Sequence, residues 1–149
     1  MQFSSKFSLL ASALFATLTF QNVNAAPSLS SGVVTEAQLL NWIATTDSEL
    51  TFIGEPITGL SKREVNVMVV FCSDRVNGAC GGPCTVYNGP SVCLSAPGTN
   101  CLSATADVGF CNEGGCSGSC NSFDSCGDTL DNGFCFTPGT DSILVPFVQ

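Results

Sequence analysis

Histidine is absent from the chain. That excludes a Ser-His-Asp triad, a Cys-His nucleophile and a ribonuclease-type site built on imidazole. Bases are scarce: Lys and Arg number 4 against 12 Asp and Glu, for a formal net charge of −8. Beyond residue 63 there is no Lys, and Arg75 is the only Arg. Nucleic-acid binding relies on Lys and Arg at the phosphates, so no nucleic-acid partner is expected, and attraction to an anionic membrane surface falls with it. Trp and Tyr occur once each, at Trp42 and Tyr87. No cysteine stands before Cys72, and no second apolar run after the N-terminal one approaches the length of a membrane span, so no membrane insertion is expected.

What is present begins with an export signal. Lys6 precedes the apolar run Phe7 to Ala16, and the small residues of Val23-Asn24-Ala25-Ala26 follow the polar Gln21-Asn22. A basic start, a short apolar stretch and small residues at a cleavage position read as a signal peptide over residues 1–26, which sends the chain into an oxidising, extracellular route. The cysteines agree. Cys72, Cys80, Cys84, Cys93, Cys101, Cys111, Cys116, Cys120, Cys126 and Cys135 are even in number and crowd into 64 positions, as a disulfide framework does. Cys80-x3-Cys84 and Cys116-x3-Cys120 are the best metal-ligand spacings, but without His and in an oxidising compartment no metal or other cofactor is expected.

Three compositions then divide the chain. Residues 27–63 hold the only Trp and no Cys, and residues 64–149 hold every Cys. Lys62-Arg63 stands on that boundary, inside "GLSKREVNV". A dibasic pair there reads as a processing site, making 27–63 a pro-segment and 64–149 the mature cysteine-rich domain. A mature chain of 86 residues is short of core and needs covalent staples, each worth about 2–4 kcal/mol. The pairing is not readable from spacing. Within 27–63, "TEAQLLNWIATT" carries Thr35 and Gln38 in a capping-box spacing, with Leu39, Leu40 and Ile43 on one helical face.

In the cysteine-rich part, "EVNVMVVFC" alternates and then turns wholly apolar. Val65, Val67, Val69 and Phe71 share one face and Met68 and Val70 the other, which predicts a central strand covered on both sides. "CTVY", "GFCF" and "SILVPF" read as further strands, the last ending at Pro146. Asn88-Gly89 and Asn132-Gly133 are turn signals. "TNCLSATADVGFC" and "SGSCNSFDSCGDTLDNG" show capping residues and helical spacings, and predict two short helices. The expected fold class is α+β: a small disulfide-rich sandwich with a short sheet flanked by those helices.

With imidazole and most bases gone, carboxylate chemistry or binding remains. Glu113 with an Asp is a conceivable glycosidase pair, but a stapled chain of this size offers little room for a cleft that distorts a sugar, so no enzyme activity is expected. "DSCGDTLDNG" has the acids of a calcium loop without its spacing or closing Glu. Sugar binding needs a few fixed hydrogen-bonding groups and an aromatic face. Residues 73–89 gather Asp74, Arg75, Asn77, Tyr87 and Asn88 among clustered cysteines, and these five are the expected ligand-binding group. A plainer role for Arg75 is a local ion pair with Asp74.

The signal, the dibasic junction, VNVMVVFC, CGGPCTVYNG, NCLSATADVGFC and GGCSGSCN together resemble small secreted cysteine-rich glycan-binding proteins of mushroom-forming fungi. The resemblance covers residues 64–149. It implies a single-domain αβα-type sandwich, fucosylated glycans as partners, and defence or cytotoxicity as the use; the negative net charge adds that the glycans are neutral or fucosylated rather than sulfated or phosphorylated. Its motifs specify a scaffold better than a site, so no sugar-contacting residue is carried over. The alternatives are a small secreted effector or toxin acting on a protein target and, behind it, a carboxylate glycosidase.

Overall fold

The computed structural model describes residues 32–57 and 66–147. One α-helix, α1 (Glu36–Thr45), is followed by strand β1 (Leu50–Gly54). Then come β2 (Val67–Val76), β3 (Ala79–Gly89), β4 (Val92–Ala104), β5 (Gly109–Glu113), β6 (Ser117–Ser122) and β7 (Cys135–Val145). Short 3-10 turns lie at Phe123–Ser125 and Asp131–Gly133. All seven strands form one sheet, in the order β1-β3-β2-β4-β7-β5-β6. Every pairing is antiparallel except that of β1, which runs parallel to β3.

β2 is an interior strand, third of the seven and covered on both faces as its alternation predicts, while the middle position falls to β4. Val67, Val69 and Phe71 enter one core cluster, while Met68, Val70 and Cys72 enter another on the opposite face. The first cluster continues through Leu94, Leu102, Ala104, Ile143 and Val145, and is closed by Val108 and Phe123 from the connections. α1 covers the second. Its capping box forms as expected, with Gln38 N donating to Thr35 Oγ1 at 3.2 Å and Thr35 N donating to Gln38 Oε1 at 2.9 Å. The buried stripe is Leu39 and Trp42, with Leu40 and Ile43 at its margin. The Trp42 ring lies 4.7 Å from that of Phe134.

The described part of the expected pro-segment, residues 32–57, packs into the same body as the cysteine-rich part. Val34 N donates to Ala104 O at 3.0 Å and Glu55 N to Asn88 O at 2.7 Å, which ties both ends of the α1–β1 unit to the sheet, and Cys84 N donates to Glu49 O at 2.8 Å between them. The signal peptide over 1–26 and the Lys62-Arg63 pair lie outside the described residues. No helix among the described residues is long and apolar enough to cross a membrane.

The α+β sandwich with two flanking helices is not the fold, nor is the αβα arrangement that the resemblance implies. The stretch around Leu102 is the end of β4, where Leu102 and Ala104 face one cluster and Cys101 the other. The stretch from Ser117 is β6 followed by a 3-10 turn. Both segments are rich in Ser, Thr, Asn and Cys, residues with weak helical preference, and their apparent helical spacing yields to strand pairing across the sheet. "GFCF" and "SILVPF" are the two ends of one strand, β7, which stops before Pro146.

All ten cysteines are paired: Cys72–Cys84, Cys80–Cys101, Cys93–Cys116, Cys111–Cys120 and Cys126–Cys135. The first two staple β2 to β3 and β3 to β4. The third ties β4 to the β5–β6 turn, the fourth closes that hairpin, and the fifth closes the loop before β7. None reaches residues 32–57.

Candidate functional site

The five residues expected to share a ligand site fall at opposite ends of the β2–β3 hairpin. Asp74, Arg75 and Asn77 are at its tip, where the chain reverses through Asn77-Gly78 with Asn77 at φ 56°. Tyr87 pairs with Val69, six residues back along β2 from Arg75. At about 3.3 Å per residue that places Tyr87 and Asn88 roughly 20 Å from the tip. Arg75 and Tyr87 therefore cannot grip one small sugar together.

Each has a local task instead. Arg75 does not pair with its neighbour Asp74. Its Nη1 donates to Asp128 Oδ2 at 2.7 Å, its Nε to the Asn77 carbonyl at 2.8 Å, and its guanidinium lies 4.3 Å from the centre of the Phe136 ring. The Asp74 side chain sits against Gly82, where a Cβ would collide with it. Tyr87 is buried, and its hydroxyl donates to Pro90 O at 2.5 Å. Burial, and secondarily the Glu55 carboxylate, raise its pKa above the ordinary phenol value. Asn88 Nδ2 donates to Glu55 O at 3.4 Å.

What the hairpin tip does is hold the loop between Cys126 and Cys135. Besides the Arg75–Asp128 pair, Asp131 N donates to Gly78 O at 2.8 Å; the loop also braces itself, with Phe136 N donating to Asp128 O at 2.9 Å and Leu130 N to Phe134 O at 2.7 Å. The Cys126–Cys135 disulfide closes the same loop. At its far side Asn132 and Gly133 both take left-handed backbone, φ 60° and 76°. Gly133 packs so closely on Val34 that a Cβ would overlap the valine, and its carbonyl accepts from the buried Ser103 Oγ at 3.1 Å.

Between this braced loop and α1 runs a cleft of about 360 Å³, lined by Val34, Gln38, Asn41, Thr129, Leu130, Asn132 and Gly133. Val34 and Leu130 are buried and form an apolar floor. The rim carries three side-chain amides and one hydroxyl, and no ionisable group lines it. Gln38 spends its Oε1 on the capping box, and its amide N–H groups have no partner among the described residues. The amides of Asn41 and Asn132 make no hydrogen bond among the described residues. Such a surface can exchange hydrogen bonds in both directions with an uncharged polar ligand, and its size suits a small one.

None of the residues that line this cleft is among the five that the sequence points to. Gln38 was legible only as a capping residue and Asn132 only as a turn residue, while Asn41 and Thr129 carry no signal of their own. The partial clue was the Asn-Gly step, whose left-handed backbone fixes the loop. No protein-family model matches the chain, and neither does any curated protein or solved structure.

Proposed function

We propose that the protein is a secreted, non-catalytic glycan-binding protein that holds a neutral or fucosylated sugar in the cleft between α1 and the Cys126–Cys135 loop. The observation that carries this reading is the cleft's neutral rim of three amides and a hydroxyl over an apolar floor. A sugar hydroxyl both donates and accepts, and a side-chain amide offers both functions at fixed spacing. The apolar floor matches the C–H face of a pyranose. The chain's net charge of −8 disfavours sulfated or phosphorylated ligands. The disulfide and the Arg75–Asp128 brace hold one wall rigid before binding, which lowers the entropy lost on association. In this reading Arg75 and Asn77 support the site from behind, and Tyr87 and Asn88 take no part in it. A defence or cytotoxic use follows from the resemblance to the fungal proteins.

The test is a glycan array followed by titration of the best neutral hit. Asn41→Ala and Asn132→Gly each remove an amide from the rim, and glycine suits the left-handed backbone at 132. Losing one or two neutral hydrogen bonds at about 0.5–1.5 kcal/mol each should weaken binding by about tenfold, with the thermal midpoint held. Wild-type affinity in both folded variants would move the site out of this cleft. Absence of any glycan hit for the wild-type protein would end the glycan reading.

A further inference from the structure

β1 is an edge strand, and its outer side is open. A parallel ladder engages every second residue of a strand. Cys84 N donates to Glu49 O and Glu55 N donates to Asn88 O, so the odd-numbered residues 49 to 55 face β3. The N–H and C=O groups of Leu50, Phe52 and Gly54 therefore point away from the sheet. The strand also displays apolar side chains on both faces. Phe52 is 56% exposed and Ile53 40%, two of the four exposed large hydrophobics among the described residues. Their partners Val86 and Tyr87 lie on opposite faces of β3, so Phe52 and Ile53 flank the open edge from either side. A hollow of about 230 Å³ beside Phe52, lined also by Pro56, Ile57, Val86 and Asn88, has room for one side chain of an incoming strand.

Exposed edges are ordinarily blunted by Pro, Lys or a bulge, because unpaired backbone recruits other strands. Residues 50–54 contain none of these. Charge appears only around the ends, as Asp47, Glu49 and Glu55, none of which is ion-paired among the described residues. This pattern selects the occupant. In an antiparallel pairing of two copies centred on Phe52, Glu49 of each would oppose Glu55 of the other, and an in-register parallel pairing would set each acid against itself. Like charges opposed across strands are destabilising. A strand with Lys or Arg at those positions would find opposite charge at both ends.

We propose that β1 is a docking edge for an extended segment of a partner protein, apolar at its centre and basic at its ends, bound by strand addition. The probe is a fluorescein-labelled peptide, Lys-Thr-Val-Thr-Val-Thr-Lys, compared by fluorescence polarisation with its Glu-ended counterpart, using the full folded protein. The Lys-ended peptide should bind at least about tenfold more tightly at low salt. Phe52→Ala removes the ring and keeps the outward N–H, whereas Phe52→Pro removes both without touching the β3 ladder. Strand addition requires the Pro variant to bind at least about tenfold more weakly than the Ala variant, at equal thermal stability. It also requires Leu50 and Phe52 amide exchange to slow when peptide is bound. Equal binding by the two variants, equal binding of the two peptides, or a dimer of the free protein joined through β1 would each overturn the proposal.

Discussion

Replacing Trp42 with Ala tests whether α1 is part of the core or a detachable cover on the sheet. The indole is 7% exposed and rests 4.7 Å from Phe134, a residue on the cysteine-rich side of the boundary. An indole buries about 150–250 Å², which at about 25 cal/mol per Å² is worth roughly 4–6 kcal/mol as an upper bound. Aromatic truncations in cores cost about 3–5 kcal/mol, because the cavity relaxes only in part. We expect about 3–5 kcal/mol here, a large share of the roughly 5–15 kcal/mol that holds a domain together. The assay is urea unfolding with disulfides intact, followed by far-ultraviolet circular dichroism, since the variant has no Trp to report. Trp42→Phe should recover most of the loss. A cost under about 1 kcal/mol for the alanine variant would mean that α1 lies loosely on the sheet, as a detachable pro-segment would, and would refute the reasoning.

Further outcomes follow from the same contacts. If the chain is cut after Arg63, the two pieces should stay together in native mass spectrometry and separate without reductant in denaturant, because no disulfide reaches residues 32–57 while Leu39, Trp42 and the β1 ladder do hold them. Arg75→Ala should cost only about 1 kcal/mol of stability, since the pair with Asp128 is partly exposed, yet weaken glycan binding several-fold by loosening the loop that bears Asn132. Tyr87 has its folded-state pKa raised by burial, so the stabilisation it gives is complete below the unfolded value of about 10 and is lost as pH climbs through the higher folded value. Denaturation curves from pH 8 to pH 11 should therefore fall more steeply for wild type than for Tyr87→Phe, and absorbance at 295 nm reports this group alone because the chain has one Tyr. Raising salt from about 0.1 M to 1 M, which shortens the Debye length from ~10 to ~3 Å, should leave glycan binding unchanged and weaken the basic peptide at β1.

The parts of the fold legible in the sequence are those where two local signals agree. β2 shows alternation together with β-branched residues, and it is an interior strand with a cluster on each face. α1 shows a capping box together with an apolar stripe, and both are realised. Where one signal stands alone it misleads. Leu102 and Ala106 sit four apart and suggest a helix, but the pair that matters is Leu102 and Ala104, both fully buried on one face of β4. The polar partners of that strand are equally hidden: Thr99 and Ser103 are buried, so a run that looks amphipathic or irregular is in fact interior. The site was harder still. Asp74, Arg75, Asn77, Tyr87 and Asn88 are close in sequence, and proximity along an antiparallel hairpin is poor evidence of proximity in space, because a long hairpin carries its two ends apart. Arg75 instead meets Asp128, 53 positions away, and Asn41 meets the Asn132 loop across the cysteine boundary. No local pattern encodes either meeting. Both depend on how β2–β3 is registered and on which face α1 covers. The cleft's floor is Val34 from one side of the Lys62-Arg63 junction and Leu130 from the other, so any cut at that junction divides the walls of the site between two chains without removing either wall.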